Sequence, residues 1–161
     1  MTQITYRNAT PEDCALVMQF IYELAEYENL THEVVVTETD IRTSMFGKTA
    51  SMFCMIAEAS GKPAGFALCF LQGCFGIYLA DLFVREEYRG RGIGKGFFNV
   101  LAKKAKDEGY KRLQWVVLDW NTSSIEFYER LGAEAKKDWI TMQLDAEGID
   151  QLAGSDERNA A

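Results

Sequence analysis

Between residues 84 and 95 the chain reads Val84-Arg-Glu-Glu-Tyr-Arg-Gly-Arg-Gly-Ile-Gly-Lys95. Glycines let a backbone approach a ligand and turn successive N–H groups into one concavity. A helix starting just behind them adds partial positive charge, a combination suited to a phosphate group. The spacing excludes two common phosphate loops. No glycine pair has the GxxxxGK[ST] spacing, and GxGxxG fails because Lys95 takes the place of the third glycine after Gly90 and Gly92. The pattern that fits is [RQ]xxGx[GA], filled by Arg89, Gly92 and Gly94. Arg89, Arg91 and Lys95 gather here in a chain whose net charge is −7. The other reading is a tight strand-to-helix packing turn with solvated arginines.

The elements that must carry this turn follow from periodicity. Ile4 to Arg7 predicts a short strand. Thr10, Pro11, Glu12 and Asp13 start a helix with its apolar stripe on Val17, Ile21, Leu24 and Ala25. Thr37 with Asp40 three residues on caps a second helix, which Gly47 ends. Strand patterns over 51–59, 64–71 and 77–84, joined by turns at Gly61-Lys62-Pro63 and near Gly73, predict an antiparallel meander. A helix from about Ile93 to Glu108 carries Ile93, Phe97, Leu101 and Ala105 on one face and stops at Gly109. Leu113 to Leu118 reads as a strand covered on both faces. A helix after Asn121 ends at Gly132, and Trp139 to Leu144 reads as a last strand. The order β-α-α-β-β-β-α-β-α-β makes an α/β mixed sheet in one domain over 1–153, with a frayed tail over 154–161. Its helical crossover makes strand 77–84 and strand 113–118 parallel neighbours.

Composition narrows the function. The chain has 161 residues, 48% hydrophobic and 25% charged, as expected of an ordinary folded domain. Acidity argues against wrapping nucleic acid; on charge alone it serves solubility, with a mild leaning towards cationic small molecules as the other reading. Without a bilayer-length apolar run or the blocks of a signal peptide, the expectation is a cytoplasmic protein with no membrane partner. Cys14, Cys54, Cys69 and Cys74 show no CxxC, and the one histidine is His32. We therefore expect reduced core or near-core thiols and no metal.

The segment Tyr78-Leu-Ala-Asp-Leu-Phe-Val-Arg-Glu-Glu-Tyr-Arg-Gly-Arg-Gly-Ile-Gly94 resembles the acetyl-CoA motif of the GCN5-related N-acetyltransferases (GNAT). Glu23-Leu-Ala-Glu-Tyr-Glu28, Val117-Leu-Asp-Trp-Asn121, Phe127-Tyr128 and Leu131-Gly-Ala133 are similar to the diamine (spermidine/spermine) and thialysine N-epsilon-acetyltransferases. The resemblance covers about residues 4 to 152 in the same order. It implies the GNAT fold, with acetyl-CoA as cosubstrate. Main-chain N–H groups of Gly90, Arg91, Gly92, Ile93, Gly94 and Lys95 would meet the diphosphate, with Arg89 at the same cofactor site. Leu82, Phe83 and Val84 would pair with the pantetheine arm, and Asn121 to Ser124 would line its other side. Tyr128 would protonate the leaving sulfur. Substrate contacts would fall on Tyr27, Glu28, Ala80 and Trp139, and a homodimer is implied.

The chemistry is consistent with those types. A tyrosine of ordinary pKa about 10 can donate to a thiolate whose thiol titrates near about 8.5. An alkylammonium of pKa about 10.4 is neutral only about once in 2,500 at pH 7, a deficit near 4.6 kcal/mol, so something must take its proton. The family carries Glu-Asp where this chain has Ala80-Asp81. On an unbroken strand Asp81 faces with Ile77, Leu79 and Phe83, away from the side of residue 80, and only a bulge would re-aim it. Asp81 is thus a substrate-site candidate or a structural carboxylate. The loop between Gly132 and Trp139 is about three residues shorter than in those relatives. The leading expectation is acetyl transfer to a primary amine of a small cationic metabolite. The alternatives are a peptide or protein N-acetyltransferase and a non-catalytic acetyl-CoA sensor.

Overall fold

The computed structural model describes residues 2–154, so the expected tail lies, apart from Gly154, outside the described residues. The chain falls into two compact units, one ending at Leu118 and one starting at Asp119.

The first unit holds β1 (Ile4–Asn8), α1 (Cys14–Glu28), α2 (Glu38–Phe46), β2 (Met52–Ala59), β3 (Lys62–Leu71), β4 (Ile77–Val84), α3 (Ile93–Asp107) and β5 (Leu113–Gln114). The sheet order is β1-β2-β3-β4-β5. The first four strands are antiparallel, because short turns join β2, β3 and β4. The α3 crossover makes β5 parallel to β4, with Ile77 opposite Leu113. The mixed α/β sheet and its meander are as the sequence predicts.

One face of the sheet packs on α1 and α2. Val17, Phe20 and Ile21 meet Ile56, Phe66, Leu68 and Phe83, with Ile41 and Met45 closing the cluster. Phe20 and Phe66 stack with centroids 5.2 Å apart. Both are fully buried, each worth roughly 2–3 kcal/mol over exposure. On the other face α3 lies across Tyr6, whose ring meets Phe97 edge-on at 5.1 Å.

The helix starts are set locally. Thr37 accepts a bond from the Asp40 N–H at 3.2 Å while the Asp40 carboxylate accepts from the Thr37 N–H at 2.9 Å, a reciprocal cap. The Thr10 region departs slightly, with Pro11–Asp13 forming a 3-10 turn before α1. Asp13 there accepts two bonds from Arg7, at 2.7 and 2.9 Å, which ties the start of α1 to β1.

Two strand expectations need correction. β5 pairs for only two residues, and Val116 is 62% exposed, so 113–118 is not a strand covered on both faces. In the second unit, α4 (Thr122–Arg130) is present, but 139–144 forms no strand. Its alternating apolar pattern needs a strand edge to bond with, and the described residues of that unit include none. Trp139, Ile140 and Met142 are exposed. Helix α5 (Ala146–Ala153) follows instead, capped by Asp145, which accepts from the Gly148 N–H at 2.8 Å. Its sequence signals are Asp145, Glu147 in the first turn and the Ile149/Leu152 spacing, masked by the weak helix former Gly148. Of the thiols, Cys14, Cys54 and Cys69 are buried and Cys74 is exposed.

Candidate active site

The register of β3 against β4 sets the first part of the site. Leu68 stands opposite Asp81, whereas Cys69 stands opposite Leu79. Ala80 is therefore the extra residue of a β-bulge, and side-chain alternation restarts after it. Leu79 stays on the face of Cys69. Asp81 and Phe83 move to the face of Leu68 and Phe66, where α1 packs. The bulge re-aims Asp81, as a regular strand would not.

On that face lies a cavity of about 210 Å³ lined by Ile21, Leu24, Ala25 and Glu28 of α1, by Leu30 and 33–36 after it, and by Asp81. Its ionisable groups are Glu28, Glu33 and Asp81. Asp81 and Glu28 are partly buried and Glu33 is exposed. Burial pushes the Asp81 carboxyl up to about 6. Burial, and then the charge of Asp81, raises Glu28 as well. Two carboxyls that both resist ionisation suit a cation between them, because it lifts both penalties. Sequence reading singled out Glu28, Asp81 and the Ile21, Leu24 and Ala25 stripe but missed the remaining apolar walls. Those come from the non-helical stretch Val34–Val36, which has no periodicity to read.

The second part follows β4. After Val84, a 3-10 turn at Glu86–Tyr88 leads to Arg89 and the glycine-rich loop. The arginines shape this loop. Arg89 Nε donates to the Val84 carbonyl at 2.9 Å, with its guanidinium 4.9 Å from the Tyr27 ring centre. Arg91 Nη2 donates to the Glu87 carbonyl at 2.9 Å. Gly90 and Gly92 have φ of 72° and 78°, a region costly for other residues. A Cβ at either would meet no protein atom within 4 Å, so both border open space. Gly92 caps α3, and the N–H groups of the first helical turn, at Ile93, Gly94 and Lys95, have no intrahelical partner by geometry. Open space in front of main-chain donors at the start of a 15-residue helix fits a phosphoryl group. Lys95 stands in the first turn of the same helix.

Two supports went unnoticed in the sequence. A Cβ at Gly96 would overlap the Tyr6 hydroxyl, which donates to the Ile93 carbonyl at 3.0 Å and braces the start of α3. Arg85 donates from Nε and Nη2 to the two carboxylate oxygens of Glu23, both at 2.8 Å, joining the end of β4 to α1. Glu23 opens the Glu23–Glu28 motif and lies between the lining residues Ile21 and Leu24, so this clamp holds the stretch of α1 that borders the cavity. Tyr27, Glu28, Asp81, Leu82–Val84 and Arg89–Lys95 thus all belong to the first unit.

The remaining candidates belong to the second unit. Asn121 caps α4; its side-chain oxygen accepts from the Ser124 N–H and the Ser123 hydroxyl, each at 3.3 Å. Tyr128 lies two turns beyond Asn121, its ring 5.3 Å from that of Phe127. Trp139 is 80% exposed in the segment between α4 and α5.

Comparison with known proteins agrees with this geometry. Residues 18–133 match the model of the acetyltransferase (GNAT) family. Thialysine N-epsilon-acetyltransferase of Bos taurus is 35% identical over 96% of this chain and 99% of its own length. L-ornithine N5-acetyltransferase of Arabidopsis thaliana is 27% identical over 91% and 86%. Among solved structures, an integron cassette protein of V. cholerae superposes with TM-score 0.74 at 25% identity, over 93% of this chain and 97% of that one. A glycine loop at a helix start, a bulged strand before it and matching relatives along nearly the whole length lead to one conclusion: the chain belongs to the acetyltransferase (GNAT) family and is an N-acetyltransferase.

Proposed function

We propose that the chain transfers the acetyl group of acetyl-CoA to a primary amine of a small cationic metabolite, either a lysine-like amino acid such as thialysine or a di- or polyamine. The observation that carries this reading is the cavity whose ionisable groups are all carboxylates, reached from the same strand that leads into the glycine loop. At about 210 Å³ it is smaller than drug-sized pockets of roughly 300–1,000 Å³, and it suits a short aliphatic amine better than a peptide. Relatives bearing the names of thialysine and ornithine acetyltransferases support the same class.

In this reading the main-chain N–H groups from Gly90 to Lys95 hold the diphosphate of the cosubstrate, and Leu82–Val84 present a strand edge to its pantetheine arm. Asn121 and Ser124 flank that arm. Glu28 and Asp81 hold the ammonium end of the acceptor, with Tyr27 and Trp139 as aromatic walls. The amine nitrogen bonds to the acetyl carbon as the carbon–sulfur bond breaks, Tyr128 gives the sulfur its proton, and the proton that the nitrogen sheds on becoming an amide restores the tyrosine through solvent. A homodimer belongs to this reading, because in the branch it resembles neighbouring subunits complete the substrate site.

A panel of diamines, polyamines, lysine analogues and lysine-containing peptides, followed by thiol release from acetyl-CoA, tests it. The expected result is turnover of small amines well above that of peptides. Tyr128→Phe should lower kcat by about 100-fold with little change in cosubstrate affinity. Absence of turnover with every small amine would overturn the proposal.

A further inference from the structure

We infer that Asp81 is the catalytic base of this enzyme, taking the proton from the acceptor ammonium while Glu28 anchors the amine. This rests on the amine-acetyltransferase reading above and assigns a step within it. The geometry comes from the bulge at Ala80, which turns the Asp81 side chain off the α3 face and into the cavity below α1.

The cavity offers few other acceptors. Its ionisable side chains are Asp81, Glu28 and Glu33, and the lining contains no histidine, lysine or arginine. His32, the single imidazole of the chain, is 71% exposed beside Glu33 and does not line the cavity. Glu33 is itself exposed, in ordinary contact with water. Glu28 is the last residue of α1, where the negative end of the helix dipole favours a bound cation. Asp81 sits on the sheet itself, one residue before the segment Leu82–Val84 that faces the cosubstrate in this reading. Of the carboxylates it is the one on a sheet strand, next to the segment that meets the cosubstrate in this reading.

The groups facing Asp81 are consistent with the task. Glu28 of α1 adds negative charge, the buried thiol of Cys54 on β2 shares the face of Asp81, and Cys69, on the opposite face of β3, also feels its field. Glu23 is neutralised by Arg85, and Arg89 lies over Phe83 two residues along the strand. A carboxyl near 6 is ionised at pH 7 yet is a stronger base than an ordinary aspartate. The proton leaves the ammonium nitrogen for an Asp81 oxygen, and the freed lone pair forms the N–C bond. Asp81 then returns the proton to water through the cavity mouth.

The test compares wild type, Asp81→Asn, Asp81→Glu and Glu28→Gln, with acceptors whose ammonium pKa runs from about 10 down to about 6. Calorimetry with CoA checks that each variant keeps the cosubstrate site. With a strongly basic amine at pH 7, Asp81→Asn should lose about 100-fold or more in kcat with a small change in KM, whereas Glu28→Gln should mainly raise KM. The Asn deficit should shrink at least 10-fold with a weakly basic amine that is already neutral. It should also shrink as pH rises and the free amine accumulates. Asp81→Glu keeps the carboxyl and should recover part of the rate, which decides the matter even if the Asn variant does not fold. An equal deficit for weakly and strongly basic amines, or a pure KM effect, would overturn the assignment. Those outcomes require wild-type turnover; its absence would defeat the amine-transfer reading instead.

Discussion

Arg85 and Glu23 meet through two parallel N–H···O bonds of 2.8 Å, side chain to side chain across 62 residues of sequence. Arg85 also donates to the Pro63 carbonyl at 2.9 Å and lies 4.7 Å from the centre of the Phe20 ring. Bidentate, partly buried pairs are worth more than exposed ones. Arg85→Ala should therefore cost about 2–3 kcal/mol and Glu23→Ala about 1–2 kcal/mol. Urea unfolding of both variants and the double variant should give a coupling of about 1 kcal/mol; additive losses would show that the pair contributes nothing jointly.

The glycine loop makes a separable prediction. Gly90→Ala and Gly92→Ala should each lose about 1–2 kcal/mol to the left-handed backbone and at least 10-fold in CoA affinity. Gly109 has φ of 76° just beyond the far end of α3. Gly109→Ala should show the same loss in thermal unfolding with CoA binding intact by calorimetry. Equal affinity in all three variants would remove the loop from the binding site.

Asp81 couples stability to pH. Its folded pKa of about 6 exceeds the ordinary aspartate value, so the native state holds its proton more tightly than the unfolded chain does. The favourable contribution is complete at low pH and is lost as pH rises from about 4 through 6. The penalty above that is at most about 3 kcal/mol, reduced by partial exposure. The Tm of Asp81→Asn, relative to wild type, should thus rise between pH 4 and pH 8. A flat difference would contradict the desolvated carboxyl.

Asp13 runs the other way. Hydrogen bonds from Arg7 hold its carboxyl down at about 2. It contributes fully above the ordinary aspartate range and loses that contribution as pH falls through about 2. Asp13→Asn should cost about 1–2 kcal/mol at pH 7, allowing for the partly exposed Arg7. The gap to wild type should close between pH 4 and pH 2, followed by circular dichroism.

The strand and helix order of the first unit was legible because its faces are periodic. Val17, Phe20 and Ile21 share one side of α1, and Phe66 and Leu68 share one side of β3, whichever neighbours they meet. Where a pattern needed a partner it misled. Leu113–Leu118 and Trp139–Leu144 are apolar enough for strands, but a strand exists only where another backbone accepts its hydrogen bonds.

The amino-acid sequence by itself determined the glycine turn, because Gly90 and Gly92 adopt conformations that other residues avoid and their spacing survives any change of context. It also determined the meander and the capped helices, which follow from local chemistry. Only the tertiary structure decided which way Asp81 points. The bulge at Ala80 is a matter of register between two strands, and register is settled by packing on both faces of the sheet. The clamp of Arg85 on Glu23 and the cavity that pairs Asp81 with Glu28 belong to the same class. They join residues far apart in the chain, and no local pattern encodes which of many carboxylates an arginine or a cavity will meet.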